Sequence, residues 1–426
     1  MPNLPRAAAC IAEGEAFWLG AFGRLVACDT SFPPGAGYPA FADLLEELFA
    51  PLGFGFRRVE VPEALWRTPE AHGRRVNLVA EPIERRHPGC GIYVHTDTVP
   101  PGEGWTRPPF ALTREGDTLF GRGTADMKGT IAATLAALTA ARDAGLTLAR
   151  DPVLLFCTDE EGGLYPGVRY LAEQRLLGCE ELICLNGGAV PRIWAGCFGS
   201  LDVAIEVTGR AVHSGDPSPH GINAIEEAIT ILDALLALKR RVQARVSALP
   251  PPPWLEGRPL TARLNITGIQ GGAKGSALPG RCRILVNRRV MPEESMEAAL
   301  AEIGDAITEG AARGQALGLS TQLVGRLDPV VDPDAGGRFW PRWQQALCFG
   351  FGWAPEDFAR YGASSSSDMG FVQRAGIPEI LLGGLSRPDN RTHGPDEFTT
   401  VGDVTSLARA LLAYLSDEPI LTGGIA

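Results

Sequence analysis

Hydrophobic positions along this chain follow one period, then another, then the first again. Over 12–27 and 39–50 apolar side chains return every three to four residues, and the second stretch puts Tyr38, Phe41, Leu44, Leu45, Leu48 and Phe49 on one side. That spacing predicts two amphipathic helices. Gly53 and Gly55 close the second and lead into a strand over 56–61. Strands are expected at 77–81, 91–95 and 152–158, around an Ala- and Leu-rich helix at 127–143. Alternating strands and helices up to about residue 198 imply an α/β unit with a largely parallel sheet. The texture then changes: 201–208, 263–267 and 282–287 alternate apolar with polar, and helices are expected at 223–245 and 293–316. Strand, helix, two strands, helix, strand is the pattern of a ferredoxin-like α+β domain. After residue 327 the first texture returns, with a helix at 339–349, a strand at 379–382 and a last helix at 404–415. The expected organisation is one α/β domain in two pieces, 1–198 and 328–426, interrupted by an inserted domain at 199–327.

Length agrees with this division, since 426 residues exceed what one core usually serves. Composition is that of an ordinary globular protein, at 45% hydrophobic and 21% charged. A formal net charge of −11 argues against nucleic acid or an anionic membrane as partner. No apolar run approaches the roughly 20 residues that span a bilayer. The first residues lack a basic segment followed by an apolar one, so no secretory leader is expected. The nine cysteines are scattered with no CxxC pair. They read as reduced thiols of a cytoplasmic protein. The proline run at 250–253 reads as a rigid surface connection.

The chemistry lies in four short runs at predicted strand-to-loop junctions. His95 and Asp97 fall in GIYVHTDTVP, two apart at a strand end, where alternation would turn both side chains to one face. An imidazole there serves as a metal ligand, and a neighbouring carboxylate fixes its tautomer. Asp126 follows the glycine turn of GRGTADMKG and opens a helix, which leaves its carboxylate free to bridge ions. Glu160 and Glu161 sit side by side in CTDEEGG, and adjacent carboxylates repel unless a cation or proton compensates. One can bind metal while the other moves a proton. His393 in THGPDEF adds a second imidazole. Taken together, these residues point to a divalent metal that activates water.

These motifs, in this order, resemble those of the M20 metallohydrolases, the group of aminoacylases, acetylornithine deacetylases and succinyl-diaminopimelate desuccinylases. GRAVHSGDPSPHGINAI resembles the family's lid and dimerisation domain, and NRR before MPEES its arginine motif. The resemblance implies a hydrolase-type catalytic domain with a mostly parallel sheet and an inserted ferredoxin-like lid. It implies that His95 binds a first metal, that Asp126 bridges, and that Glu161 and His393 complete a second site. Glu160 would be the general base and Asp97 the partner of His95. His213 would stabilise the oxyanion, within its own chain or from a dimer partner. Arg289 would hold a substrate carboxylate, for which a planar guanidinium suits. A homodimer, or a multiple of it, is expected, with manganese or zinc as the metal.

The chain departs from that pattern at three places. Where family members carry an Asp or Glu as the last ligand of the first metal, this sequence has Asn186, 25 positions after Glu161. The aspartate expected before the arginine motif is Asn287, and the asparagine expected before the family's VIP-like turn is Ser276, in SALP. Asn186 and Asn287 thus become candidate substrate contacts. One dication balances Asp126 and Glu161, so one ion per chain is expected, with a second held loosely. The expected enzyme hydrolyses a C–N bond in a small carboxylate-bearing molecule. Deacylases, dipeptidases and carboxypeptidases are the common family activities. An open metal position would also suit displacement of ammonia from an activated aromatic amine, as in a 5-nitroanthranilate aminohydrolase. A binding protein without catalysis is the third alternative, and the retained Glu160, a charge with no packing role, argues against it.

Overall fold

The computed structural model describes residues 3–420, apart from Pro69, Gly163, 217–219 and 334–336. Two units emerge: Met1–Trp194 with Asp332–Arg360 and Phe371–Ala426, and Ala195–Val331 with Tyr361–Gly370.

In the first unit the chain begins with two helices, of which the second corresponds to the helix predicted over 12–27 and the first is not predicted. α1 (Leu4–Glu13) ends at Gly14, whose N–H bonds to the Cys10 carbonyl at 2.9 Å, and α2 (Glu15–Ala27) starts directly after it. Glycine is a poor helix interior and a good stop, which is why the helix predicted from residue 12 starts only after Gly14. α3 (Tyr38–Phe49) follows and buries Phe41, Leu45, Leu48 and Phe49. The central sheet contains β1 (Phe54–Glu60), β2 (Val76–Pro82), β3 (Gly89–His95), β4 (Asp151–Cys157), β5 (Glu181–Gly188) and, far downstream, β10 (Ile380–Ser386). Their spatial order is β1-β2-β4-β3-β5-β10. The first two strands run antiparallel, and β4, β3, β5 and β10 are parallel to one another. α4 (Lys128–Ala144) is buried on nearly every face because its alanines let α1, α2 and α8 (Val401–Leu415) approach closely. α7 (Trp340–Phe351) packs on α8 in the same core. Burying an Ala- and Leu-rich helix on all sides fixes its start, and with it Asp126, against the sheet.

The second unit is an antiparallel sheet of β6 (Gly199–Thr208), β7 (Arg263–Gly271), β8 (Arg281–Val290) and β9 (Gly318–Leu327), in the order β7-β8-β6-β9. α5 (Ala224–Gln243) and α6 (Met296–Ala311) cover it. Both helices start at side-chain caps: Asn223 accepts from the Ile225 N–H at 3.0 Å, and Ser295 from the Ala298 N–H at 3.2 Å. Residues 361–370, with the serines of 364–367, belong to this unit although they lie beyond residue 327 in the sequence. Among the described residues no helix is long and apolar enough to cross a membrane.

Candidate metal centre and active site

Parallel strands leave their carboxyl ends along one edge, where loops can converge. His95 is the last residue of β3, and Asp159, Glu160 and Glu161 follow β4. Asn186 sits in the last turn-ward residues of β5, Asp126 lies two residues before α4, and His393 is in the loop between β10 and α8. All belong to the first unit.

Asp126 is the hub. His95 Nε2 lies 2.9 Å from its Oδ1, and His393 Nε2 lies 3.3 Å from its Oδ2 and 3.0 Å from Glu161 Oε1. Ligand atoms of His95, Asp126 and Glu161 all fall within 4.8 Å of one another. The tautomer of His95 is set differently from expectation. Its Nδ1 is 3.0 Å from the main-chain oxygen of Asp97, whereas the Asp97 carboxylate is 3.7 Å away. The reason is that β3 stops at His95, so the alternation that would align the two side chains does not reach Asp97. The Asp97 carboxylate instead accepts the Glu161 N–H at 2.8 Å and so fixes the backbone of the glutamate pair. Asn186 Nδ2 donates to Glu160 Oε1 at 3.0 Å.

The electrostatics are those of a site built for a cation. Hydrogen bonds from the His393 imidazole to Asp126 and Glu161 raise it to about 10. Burial opposes a charged His95, yet the Asp126 bond and the charges of Asp126, Glu160 and Asp97 outweigh it and raise that imidazole well above its usual range. Burial also disfavours ionised Asp126, but His393 and His95 hold it well below the carboxylate range. Burial pushes Glu161 and Asp97 upward. Without a metal these carboxylates retain protons on the imidazoles, and a dication is the natural replacement. Two imidazoles and two carboxylates form a donor set of the kind that divalent transition metals take.

Two supports escaped the sequence reading. Glu397 is buried and accepts from Arg122 Nη1 at 2.5 Å and from the N–H groups of Gly123, Ala125 and Asp126 at 3.1, 2.9 and 3.1 Å. It ties the Asp126 turn to the His393 loop. Asp159 takes a positive φ of 62°, which redirects the chain into the glutamate pair. Arg75 Nε at 2.8 Å and the Tyr38 hydroxyl at 2.7 Å hold its carboxylate, while Arg75 stacks 4.0 Å from the Trp66 ring centroid. Its position next to Glu160, in TDEE, was the one visible signal.

The remaining candidates lie in the second unit. His213 is exposed, and its Nδ1 accepts from the Gly215 N–H at 3.1 Å, which leaves the proton on Nε2. Residues 217–219 of that motif lie outside the described residues. Arg289 Nη1 donates to Ser366 Oγ at 2.6 Å. Asn287 Nδ2 is committed to Ser200 Oγ at 3.0 Å and Asp202 Oδ1 at 2.7 Å across the sheet.

Residues 91–417 match the model of peptidase family M20/M25/M40. An acetylornithine deacetylase of Yersinia pseudotuberculosis is 31% identical over 398 residues, spanning 89% of this chain and 90% of its own. One from Aliivibrio fischeri is 32% identical over 265 residues, spanning 62% and 65%. The di-peptidase Dug1p of Saccharomyces cerevisiae superposes with a TM-score of 0.77 at 16% identity, over 97% of this chain and 98% of that one. The M20 family metallo-carboxypeptidase Sso-CP2 of Sulfolobus solfataricus gives 0.72 at 18%, over 93% and 98%.

Proposed function

Because this chain belongs to peptidase family M20/M25/M40 and is a metal-dependent hydrolase, we propose that it cleaves the amide of a small N-acyl amino acid. One observation carries the proposal: Glu160 stands next to the convergent donors Asp126, Glu161, His393 and His95, with its carboxylate held by Asn186. Those four residues would hold manganese or zinc, which when bound lowers the pKa of water and polarises a carbonyl. Glu160 takes the proton of the attacking water and returns it to the departing nitrogen. In this reading His213, from the same chain or from a dimer partner, would offer an N–H to the oxyanion. Arg289, on a sheet strand and braced by Ser366, offers a fork to the substrate carboxylate. The acyl amino acid choice rests on the deacetylases that the chain resembles over most of its length. A homodimer is part of this reading.

A second reading, release of ammonia from an activated aromatic amine, draws on Asn186 in place of a carboxylate. A substrate panel separates the two. Metal-loaded protein should release carboxylic acid from N-acetyl amino acids and leave the corresponding amides without an α-carboxylate intact. Ammonia from carboxylated nitroaryl amines alone would favour the second reading, and turnover of neither class would overturn both.

A further inference from the structure

We infer that Asn186 is a positioning residue for Glu160, and that its amide turns the centre into one that binds a single ion tightly. The inference rests on Glu160 being the base. The amide group facing Glu160 Oε1 at 3.0 Å must be the N–H side, since an amide oxygen would oppose a carboxylate oxygen at that separation. A carboxylate at position 186 would place two anions at the same distance, an arrangement that requires a cation or a proton between them. The asparagine removes that requirement and replaces it with a hydrogen bond. Its amide therefore serves the base and does not complete a ligand set.

The donors that would hold an ion gather around Asp126: its Oδ2 faces His393, which also meets Glu161, and its Oδ1 faces His95. Ligand atoms of His95, Asp126 and Glu161 lie within 4.8 Å of one another, so one dication would draw on both carboxylates. A second ion would find only carboxylates already engaged, since Asn186 adds no charge. That shortage of charge is what would make a second site loose. The bond from Asn186 thus helps orient Glu160.

Three proteins test this: wild type, Asn186→Asp and Asn186→Ala. Each is stripped with chelator, reloaded with excess manganese or zinc, dialysed, and assayed for ions per chain by elemental analysis. Wild type and Asn186→Ala should each keep about one ion, and Asn186→Asp should keep about two. On the most active panel substrate, Asn186→Ala should lose roughly 10- to 100-fold in kcat, the scale for a residue that orients another, with KM and ion content unchanged. A merely structural role would lower thermal stability and ion content together and leave no such split. Two tightly kept ions in wild type, or one in a folded Asn186→Asp, would overturn the single-ion claim. Wild-type kcat in Asn186→Ala would overturn the positioning claim. If no panel substrate turns over, the proposed substrates fail, while a Glu160 pKa or ion content unchanged between wild type and Asn186→Asp would overturn the inference by itself.

Discussion

His393 has two carboxylate neighbours, and its proton gives a direct handle on the site. Asp126 and Glu161 raise it from 6.5 to about 10 in the metal-free protein. A folded pKa above the unfolded one means that the protonated imidazole stabilises the metal-free fold. That contribution is fully present below about pH 6.5 and is lost as pH rises through about 10. Metal must displace the same proton, so uptake should tighten as pH rises through this window and release a proton. Melting curves of chelated protein between these limits should show Tm falling. Calorimetric metal titrations in buffers of different ionisation heat should show proton release, reduced in His393→Ala. Metal uptake independent of pH would contradict the assignment of His393. The same scale shows what was legible. His95, Asp126, Glu160, Glu161 and His393 could be read because strand ends and glycine turns mark them in sequence. The main-chain role of Asp97 could not, because it depends on where β3 stops. Glu397 and Arg75 could not either, because their partners Arg122 and Asp159 are remote in sequence and only the fold joins them.

At the scale of elements, α5 carries a face that its own unit does not cover. Ile229 is 56% exposed and Leu236 41% exposed, with Leu232 partly buried between them. The helix begins with Glu226 and Glu227 and ends with Arg240 and Arg241. Two copies packed antiparallel would put Ile229 against the second copy's Leu236 and the acidic start against the basic end, an isologous contact favoured by both charge and helix dipole. β7, beside α5, is an edge strand whose Ile269 is 53% exposed. This face suits the proposed homodimer. Light scattering should give about twice the 45.3 kDa chain mass for wild type. Ile229→Glu with Leu236→Glu should give the single-chain mass with little change in the stability of the monomer, since both side chains are exposed. A monomeric wild type would contradict it. The periodicities foretold most strands of the two larger sheets and most of the long helices. They missed the break at Gly14, because a glycine interrupts a helix without altering the apolar spacing on either side.

At the scale of the whole molecule, a family fold and a donor set at the strand ends make a hydrolase, and the proposed function gives the proton to Glu160. The net charge of −11 is no obstacle, since the local field of Asp126, Glu161 and Glu160 attracts a cation. Glu160→Gln keeps shape and the hydrogen bond from Asn186, because the glutamine oxygen can still accept it, and removes only the ability to take a proton. The most direct measurement is therefore kcat of metal-loaded Glu160→Gln against wild type, with ion content determined on the same samples. The account predicts equal ion content and unchanged melting within a few degrees, with kcat lower by roughly 10²- to 10⁴-fold, the usual worth of a positioned base. Near-normal turnover in a fully loaded Glu160→Gln would contradict it.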